Sequence, residues 1–435
     1  MVEKRSTAVD GRRTRAAEGS SARPRRWSRF WPRILILALA CPGAALAQLD
    51  FPATFPPQTH FTPYADGAYE HDSNLFAISS SAPEPLSRNG PSLSDTLWKV
   101  RAGFDSAYDL DLQEFFLIAE GRRFTYDQFT QLTHDEYLVH GGWNWKVASI
   151  LDGVLDYSRE RTMVSFLTIN TEALSAAEQL FLQVQSIATA SINVQMTPEW
   201  RLQSQGKLND EDIALPGDPN LALREESVHE GLRYVGFANL SAGLDGEYLR
   251  GNFTGGAFLV TPGYRQSTAE FAADYVLSGL SSFHGAVGYT DRIMERAGSI
   301  SGLTGLATYQ RNLTGKTSIT LKLSRAINTY ITAASPEVDT GAEADVAWNA
   351  TTKIKVQAGY QYLHSSFSAT DLAGVLTASR VDRLQTPTFS VIYQPTNWLL
   401  VRPYAQYQTR TSTIGIFSFH GTVYGLELEG RLQFQ

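Results

Sequence analysis

The sequence has one cysteine, Cys41, and four methionines in 435 residues. A lone cysteine excludes a disulfide framework and any cluster of thiolate metal ligands. Beyond the N-terminus there is no apolar run of about 20 residues, so helical membrane spans are excluded. Charged residues make up only 19% and hydrophobic residues 43%, which is too apolar for a disordered chain. What is plentiful is tyrosine (19), phenylalanine (22) and glycine (34), a profile of strands carrying aromatic belts.

The first 47 residues read as an address. Ten of the 37 lysines and arginines, but only three of the 44 acids, fall within 1–33. An apolar stretch from Ile34 to Ala45 follows, then the small-x-small site Ala45-Leu46-Ala47. This predicts a secretory signal peptide over 1–47, cleaved before Gln48. The chain beyond it carries a net charge of about −14, which argues against a nucleic-acid partner. Residues 48–63, rich in proline, read as a periplasmic lead-in.

From 64 to 435 one unit repeats: ten or more residues of alternating apolar and polar character, then a turn. In 353–362, Ile354, Val356, Ala358, Tyr360 and Tyr362 alternate with Lys353, Lys355, Gln357 and Gln361. In 317–326, Ile319, Leu321 and Leu323 alternate with Ser318, Thr320, Lys322 and Ser324. Such segments are the signature of a transmembrane β-barrel. A soluble sandwich shares the period. The secretory leader, the aromatic strand ends and the alternation of short with long links separate the two.

The stretches start near 64, 95, 112, 136, 150, 183, 199, 228, 240, 266, 280, 301, 316, 339, 353, 381, 397 and 420, giving about 18 strands, with 16 also compatible. The expected fold is all-β, an antiparallel up-and-down barrel in the outer membrane, with both termini in the periplasm. Long links are expected near 79–95, 124–136, 162–183, 209–228, 250–266, 291–300, 328–339, 366–381 and 411–420. Those at 162–183 and 209–228 are long enough to fold inward, and 172–178 could form a short helix. A barrel of this width holds water or a plug.

Alternation assigns a lumen set: Lys99, Arg101, Arg201, Lys207, Asp245, Glu247, Glu270, Asp274, Lys322, Glu343, Asp345, Lys353, Lys355, Arg402, Glu427, Glu429 and Arg431. Asp245, Glu247, Glu270 and Asp274 fall on neighbouring strands, as do Lys322, Lys353 and Lys355. Two readings stand: solvated cross-strand ion pairs, or a track that guides a polar polymer. Gln357, Gln406 and other inward amides suit sugar hydroxyls, and equally water. Trp143 and Trp145 lie on the apolar face and read as girdle residues.

No catalytic or cofactor motif emerges, and no cofactor or metal is expected. Thr314-Gly315-Lys316-Thr317 imitates the end of a phosphate-binding loop, but Gln310 stands where glycine is needed and no helix follows, so it reads as a hairpin turn. His134, Glu136 and His140 lack the HExxH spacing.

Asp72-Ser73-Asn74-Leu75-Phe76 resembles the D-x-N-L-F opening of EpsL-type outer-membrane proteins of exopolysaccharide operons, associated with exosortase/PEP-CTERM systems of Gram-negative bacteria. Ser94-Asp95-Thr96, the Thr314–Thr317 turn and the Gln394-Pro395-Thr396 turn are similar too. The resemblance covers about 60–435; the chain departs from the usual ending, with Phe434 penultimate and Gln435 last. It implies a barrel acting in polysaccharide export, with outer-membrane lipid, the barrel-assembly machinery and periplasmic polysaccharide-export proteins as partners. It supplies no catalytic residue, and the chain is not expected to be an enzyme. A general or small-solute porin, and a barrel enzyme acting on lipid or glycan, are the alternatives.

Overall fold

A computed structural model describes residues 59–79, 93–166, 180–214, 221–255, 263–295, 298–330, 335–367, 371–372, 375–376 and 379–432. The expected signal peptide, most of the proline-rich lead-in, the helix expected at 172–178 and Phe434 lie outside these residues.

Apart from a two-stranded pairing of Asp371–Leu372 with Val375–Leu376, the described residues form one closed antiparallel sheet of 18 strands. These are β1 (His60–Asp72), β2 (Asp95–Leu110), β3 (Gln113–Tyr126), β4 (His134–Val147), β5 (Leu151–Met163), β6 (Leu182–Gln195), β7 (Trp200–Ala214), β8 (Leu221–Tyr234), β9 (Leu240–Thr254), β10 (Gly263–Ser278), β11 (Ser281–Met294), β12 (Gly298–Asn312), β13 (Thr317–Tyr330), β14 (Ser335–Asn349), β15 (Ile354–Phe367), β16 (Arg380–Thr396), β17 (Leu399–Ser412) and β18 (Phe419–Arg431). Each strand pairs with the next. β18 closes the ring on β1, from Tyr64 opposite Arg431 to Asp72 opposite Val423. Closure leaves no open edge in lipid, where an unpaired backbone group costs several kcal/mol.

The barrel starts at His60, four residues earlier than the alternation indicates, and takes in Pro63. Pro63 is tolerated because β18 ends at that level: the cross-strand register with β18 begins only at Tyr64.

Hairpin turns at the end bearing the described N-terminus are short, as between Leu110 and Gln113 or Asn312 and Thr317. That end is periplasmic by the rule for such barrels, and the longer links face out. Thr314–Thr317 is a hairpin turn: the Thr314 hydroxyl accepts the backbone N–H groups of Lys316 and Thr317 at 3.1 and 3.0 Å. Three links expected to be long are not. β7 runs to Ala214 and β8 begins at Leu221; β11 and β12, and β13 and β14, are separated only by 295–297 and 331–334. The strands continue beyond the lipid. There their outer faces turn charged, as in Arg123 with Asp135 (2.9 Å) and Arg224 with Glu226 (3.1 Å), and this polarity reads as loop in sequence.

The lipid belt is the exposed apolar face, including Val100, Leu155, Leu244, Val287, Leu303, Leu323 and Leu428. Aromatics flank it. Tyr69, Trp98 and Tyr424 stand toward the outer end, and Tyr108, Trp143, Trp348 and Trp398 toward the periplasmic end, all exposed.

Candidate lumen site

One sector of the inner wall, across β1–β5, β17 and β18, is a continuous charge network. Arg101 on β2 is its hub. It pairs with Asp66 across the strand and reaches Glu429 at 3.3 Å, Glu120 at 3.6 Å and Glu427 at 4.0 Å. Arg402 pairs with Glu427, and Arg431 with Glu429. Glu70 accepts from Lys99 at 2.7 Å and from the Tyr404 hydroxyl at 2.5 Å. Arg122 binds Glu120 and extends the net to Glu160 at 2.9 Å and Glu136 at 3.6 Å. Glu70 and Glu429 are 2% and 0% exposed, and charges so enclosed persist only with partners. Seven carboxylates face five cations here, so the sector is net negative.

The sequence-predicted acidic group on β9 and β10 is brought together in register, Asp245 opposite Glu270 and Glu247 opposite Thr268. It is not bare. Asp245 takes Arg233 at 2.8 Å and His229 at 3.4 Å, and Asp274 takes His284 at 2.6 Å. Arg201 pairs with Asp152 at 2.6 Å. Lys207 lies on the same phase of β7, opposite Thr189 and Ser227.

The basic group does not form. Lys322 pairs with Glu343 at 3.3 Å, while Lys355 lies opposite Asn349 near the periplasmic end of β15. Lys353 is not a lumen residue: it sits in the turn before β15, and its Nζ donates to the Pro395 carbonyl at 2.7 Å. The strand begins at Ile354, so the alternation of β15 does not reach Lys353. Asp345 stays on the inner face, opposite Thr320 and Gly359.

At the outer end the inner face inverts from polar to apolar. One cluster joins Ile213, Leu221, Leu223, Phe253, Tyr264 and Met294 from the tops of β7–β11 with Val164 and Phe181. A second joins Leu97 and Tyr126 with Phe76, Ile78, Phe129, Leu132 and Phe166 from the links. Phe76 packs edge-on against Phe129 and Phe166, with ring centroids 4.7 and 4.9 Å away. Sequence reasoning missed these residues. The available signal was that Leu221, Leu223, Phe124 and Tyr126 continue the polar phase of their strands.

Two of the four stretches on which the expected resemblance rests, Asp72–Phe76 and Ser94–Thr96, anchor this cluster. Asp95 is 0% exposed; its carboxylate accepts the backbone N–H groups of Thr96 at 2.6 Å, Gln128 at 2.9 Å and Phe129 at 2.9 Å. The Asn74 amide donates to the carbonyls of Ile78 (2.9 Å) and His420 (3.0 Å) and accepts from the Ile78 N–H. Asp72 accepts the Asn74 N–H at 2.8 Å. The link after β1 is thereby folded into the mouth with Leu75 and Phe76 pointing at the apolar cluster.

The tops of β13–β17 differ. There the described inner face is mostly polar, interrupted by Leu363 opposite Leu384: Asn328 donates to Asp339 at 2.8 Å, Ser365 donates to the other Asp339 oxygen, and Arg380 pairs with Asp382 at 3.2 Å. Arg380 lies between the rings of Phe367 (3.9 Å) and Phe417 (4.3 Å).

No family model matches the sequence, and no curated protein is similar to it at a significant level. Among solved structures, the FrpB iron transporter of Neisseria meningitidis (F5-1 variant, apoprotein) aligns at 8% identity with a TM-score of 0.50, over 87% of this chain and 82% of that one. The siderophore receptor PirA of Acinetobacter baumannii gives 8% identity and a TM-score of 0.45, over 87% and 81%. At such identities the likeness is one of fold, and it agrees with the register: the chain is a closed 18-stranded β-barrel of the outer-membrane type.

Proposed function

We propose that this barrel is a passive outer-membrane conduit for an exopolysaccharide, which runs along the β13–β17 side of the lumen. The observation that carries this reading is the chemistry of that side. From Ser318 and Thr320 near the periplasmic end, through Gln361, Thr388 and Gln406, to Asn328 and Ser365 near the mouth, the inner face offers hydroxyls and amides. These groups both donate and accept, as sugar hydroxyls require. The charges elsewhere are largely bound to one another, and their negative excess disfavours a polyanion. The apolar clusters at the mouth of the opposite sector argue against a general diffusion pore. The motif resemblance at Asp72–Phe76 and Ser94–Thr96 supports the same reading. No chemistry is asked of any side chain: synthesis from below drives the chain, and the wall exchanges hydrogen bonds with it.

The test is deletion of the gene with polymer at the cell surface as readout. Loss of surface polysaccharide, restored by the full chain, is expected. Normal surface polymer with impaired uptake of small solutes overturns the reading in favour of a porin.

A further inference from the structure

We propose that the inner faces of β14–β17 form a binding subsite for one ring of a neutral sugar. Register places two rows side by side. One runs Asp345, Gly359, Thr388, Gln406. The next runs Ala347, Gln357, Ser390, Tyr404. Between them lies a hollow of about 190 Å³.

Gly359 lets two polar side chains of the hollow close over its backbone. A Cβ there would stand 2.6 Å from Thr388 Oγ1 and 2.7 Å from Asp345 Oδ1, so any larger residue would displace both oxygens from the wall of the hollow. Ser390 and Gln406 are 1% and 4% exposed. Ser390 Oγ, Gln406 Nε2 and the buried Gln357 Oε1 have no hydrogen-bond partner among the described residues. Buried polar atoms left unmatched cost stability, so three on two adjacent rows mark a surface shaped for something that supplies their partners. The set contains a donor that cannot accept (Gln406 Nε2), acceptors that cannot donate (Gln357 Oε1, Asp345) and hydroxyls that do both. A ring bearing several hydroxyls meets all of these at once. The one charged group lining the hollow is Asp345, which disfavours an anion; Lys322 on β13 is held by Glu343, and Lys355 on β15 lies one row beyond Gln357 toward the periplasmic end. Tyr404 closes one end, its hydroxyl held by Glu70 of the charged sector.

The inference deepens the conduit reading and rests on it for the saccharide nature of the cargo. It is tested on the full chain, purified in a sugar-free detergent and reconstituted in planar bilayers. Hexasaccharides derived from dextran, cellulose, mannan and chitin are the neutral probes, with hexagalacturonate as the anionic control. At least one neutral hexamer should block the current saturably, and its affinity should fall tenfold or more in Gly359→Ala and Gln406→Ala. Ser390→Ala, which removes only an oxygen, serves as the third variant, and an intact barrel is verified for each by its unheated gel mobility. Absence of saturable block by every neutral probe, or block unchanged in all three variants, overturns the subsite. If block fails while deletion still abolishes surface polymer, the subsite falls and the conduit stands. If block is saturable and variant-sensitive while polymer reaches the surface without the gene, the conduit falls and the site serves a small saccharide.

Discussion

Asp95 binds a loop from within. Its two carboxylate oxygens take three backbone N–H groups in a site closed to solvent, two of them from Gln128 and Phe129 on the link after β3. Removing it strands buried donors, so Asp95→Ala should destabilise the barrel by about 3 kcal/mol, measured by urea unfolding in lipid vesicles. The mouth should loosen at the same time, seen as higher single-channel conductance; unchanged conductance would contradict the anchoring role. Asn74→Ala should act in the same direction on conductance with a smaller loss of stability, about 1–2 kcal/mol. These two positions were visible in the sequence as parts of short motifs. Their role was not, because their partners lie 33, 34 and 346 residues away in the chain. A hydrogen bond across such a span leaves no local pattern.

Among the strands the legible quantity is phase. An inner and an outer face follow from the period of two, and every strand start agrees with the alternation within a few residues except β8, which begins at Leu221 rather than near 228. The discrepancy has a physical source. The lipid sets which faces are apolar only over the height of the membrane, and above it the strand stays paired while its faces exchange character. A reading that equates strand with greasy exterior therefore stops at the belt. Lys353 shows the opposite error, a phase carried past the last paired residue. Two substitutions separate belt from emergent strand. Leu323→Arg, on the exposed face of β13, should cost about 2–4 kcal/mol in vesicles. Arg123→Leu, on the emergent part of β3, should change stability by less than about 1 kcal/mol in the same assay. Equal effects would place the membrane boundary elsewhere.

For the molecule as a whole, the strand number and closure were legible because the period repeats; the organisation of the interior was not. The charged sector depends on contacts between β1, β2 and β18, the two ends of the chain brought together by closure. Arg101→Met should cost about 3–5 kcal/mol, since it leaves Asp66, Glu120, Glu427 and Glu429 facing one another. A loss below about 1 kcal/mol in vesicle unfolding would show that water and the remaining arginines suffice. Orientation is open to direct measurement because the one cysteine, Cys41, precedes the predicted cleavage point. A cysteine placed at Gly315 should react with a membrane-impermeant maleimide only after the outer membrane is opened, and one at Gly255 should react in intact cells.

Among the described residues, the apolar clusters of the mouth draw on β2, β3 and β7–β11, whereas the mostly polar inner face belongs to β13–β17. On the conduit reading a sugar chain would therefore meet its hydrogen-bonding partners along one flank of the wall and not around the whole circumference. Passage would then depend on the side chains of that flank more than on the girth of the cylinder. A single bulky side chain placed on it would throttle throughput, while the same change on the opposite wall would leave it unchanged.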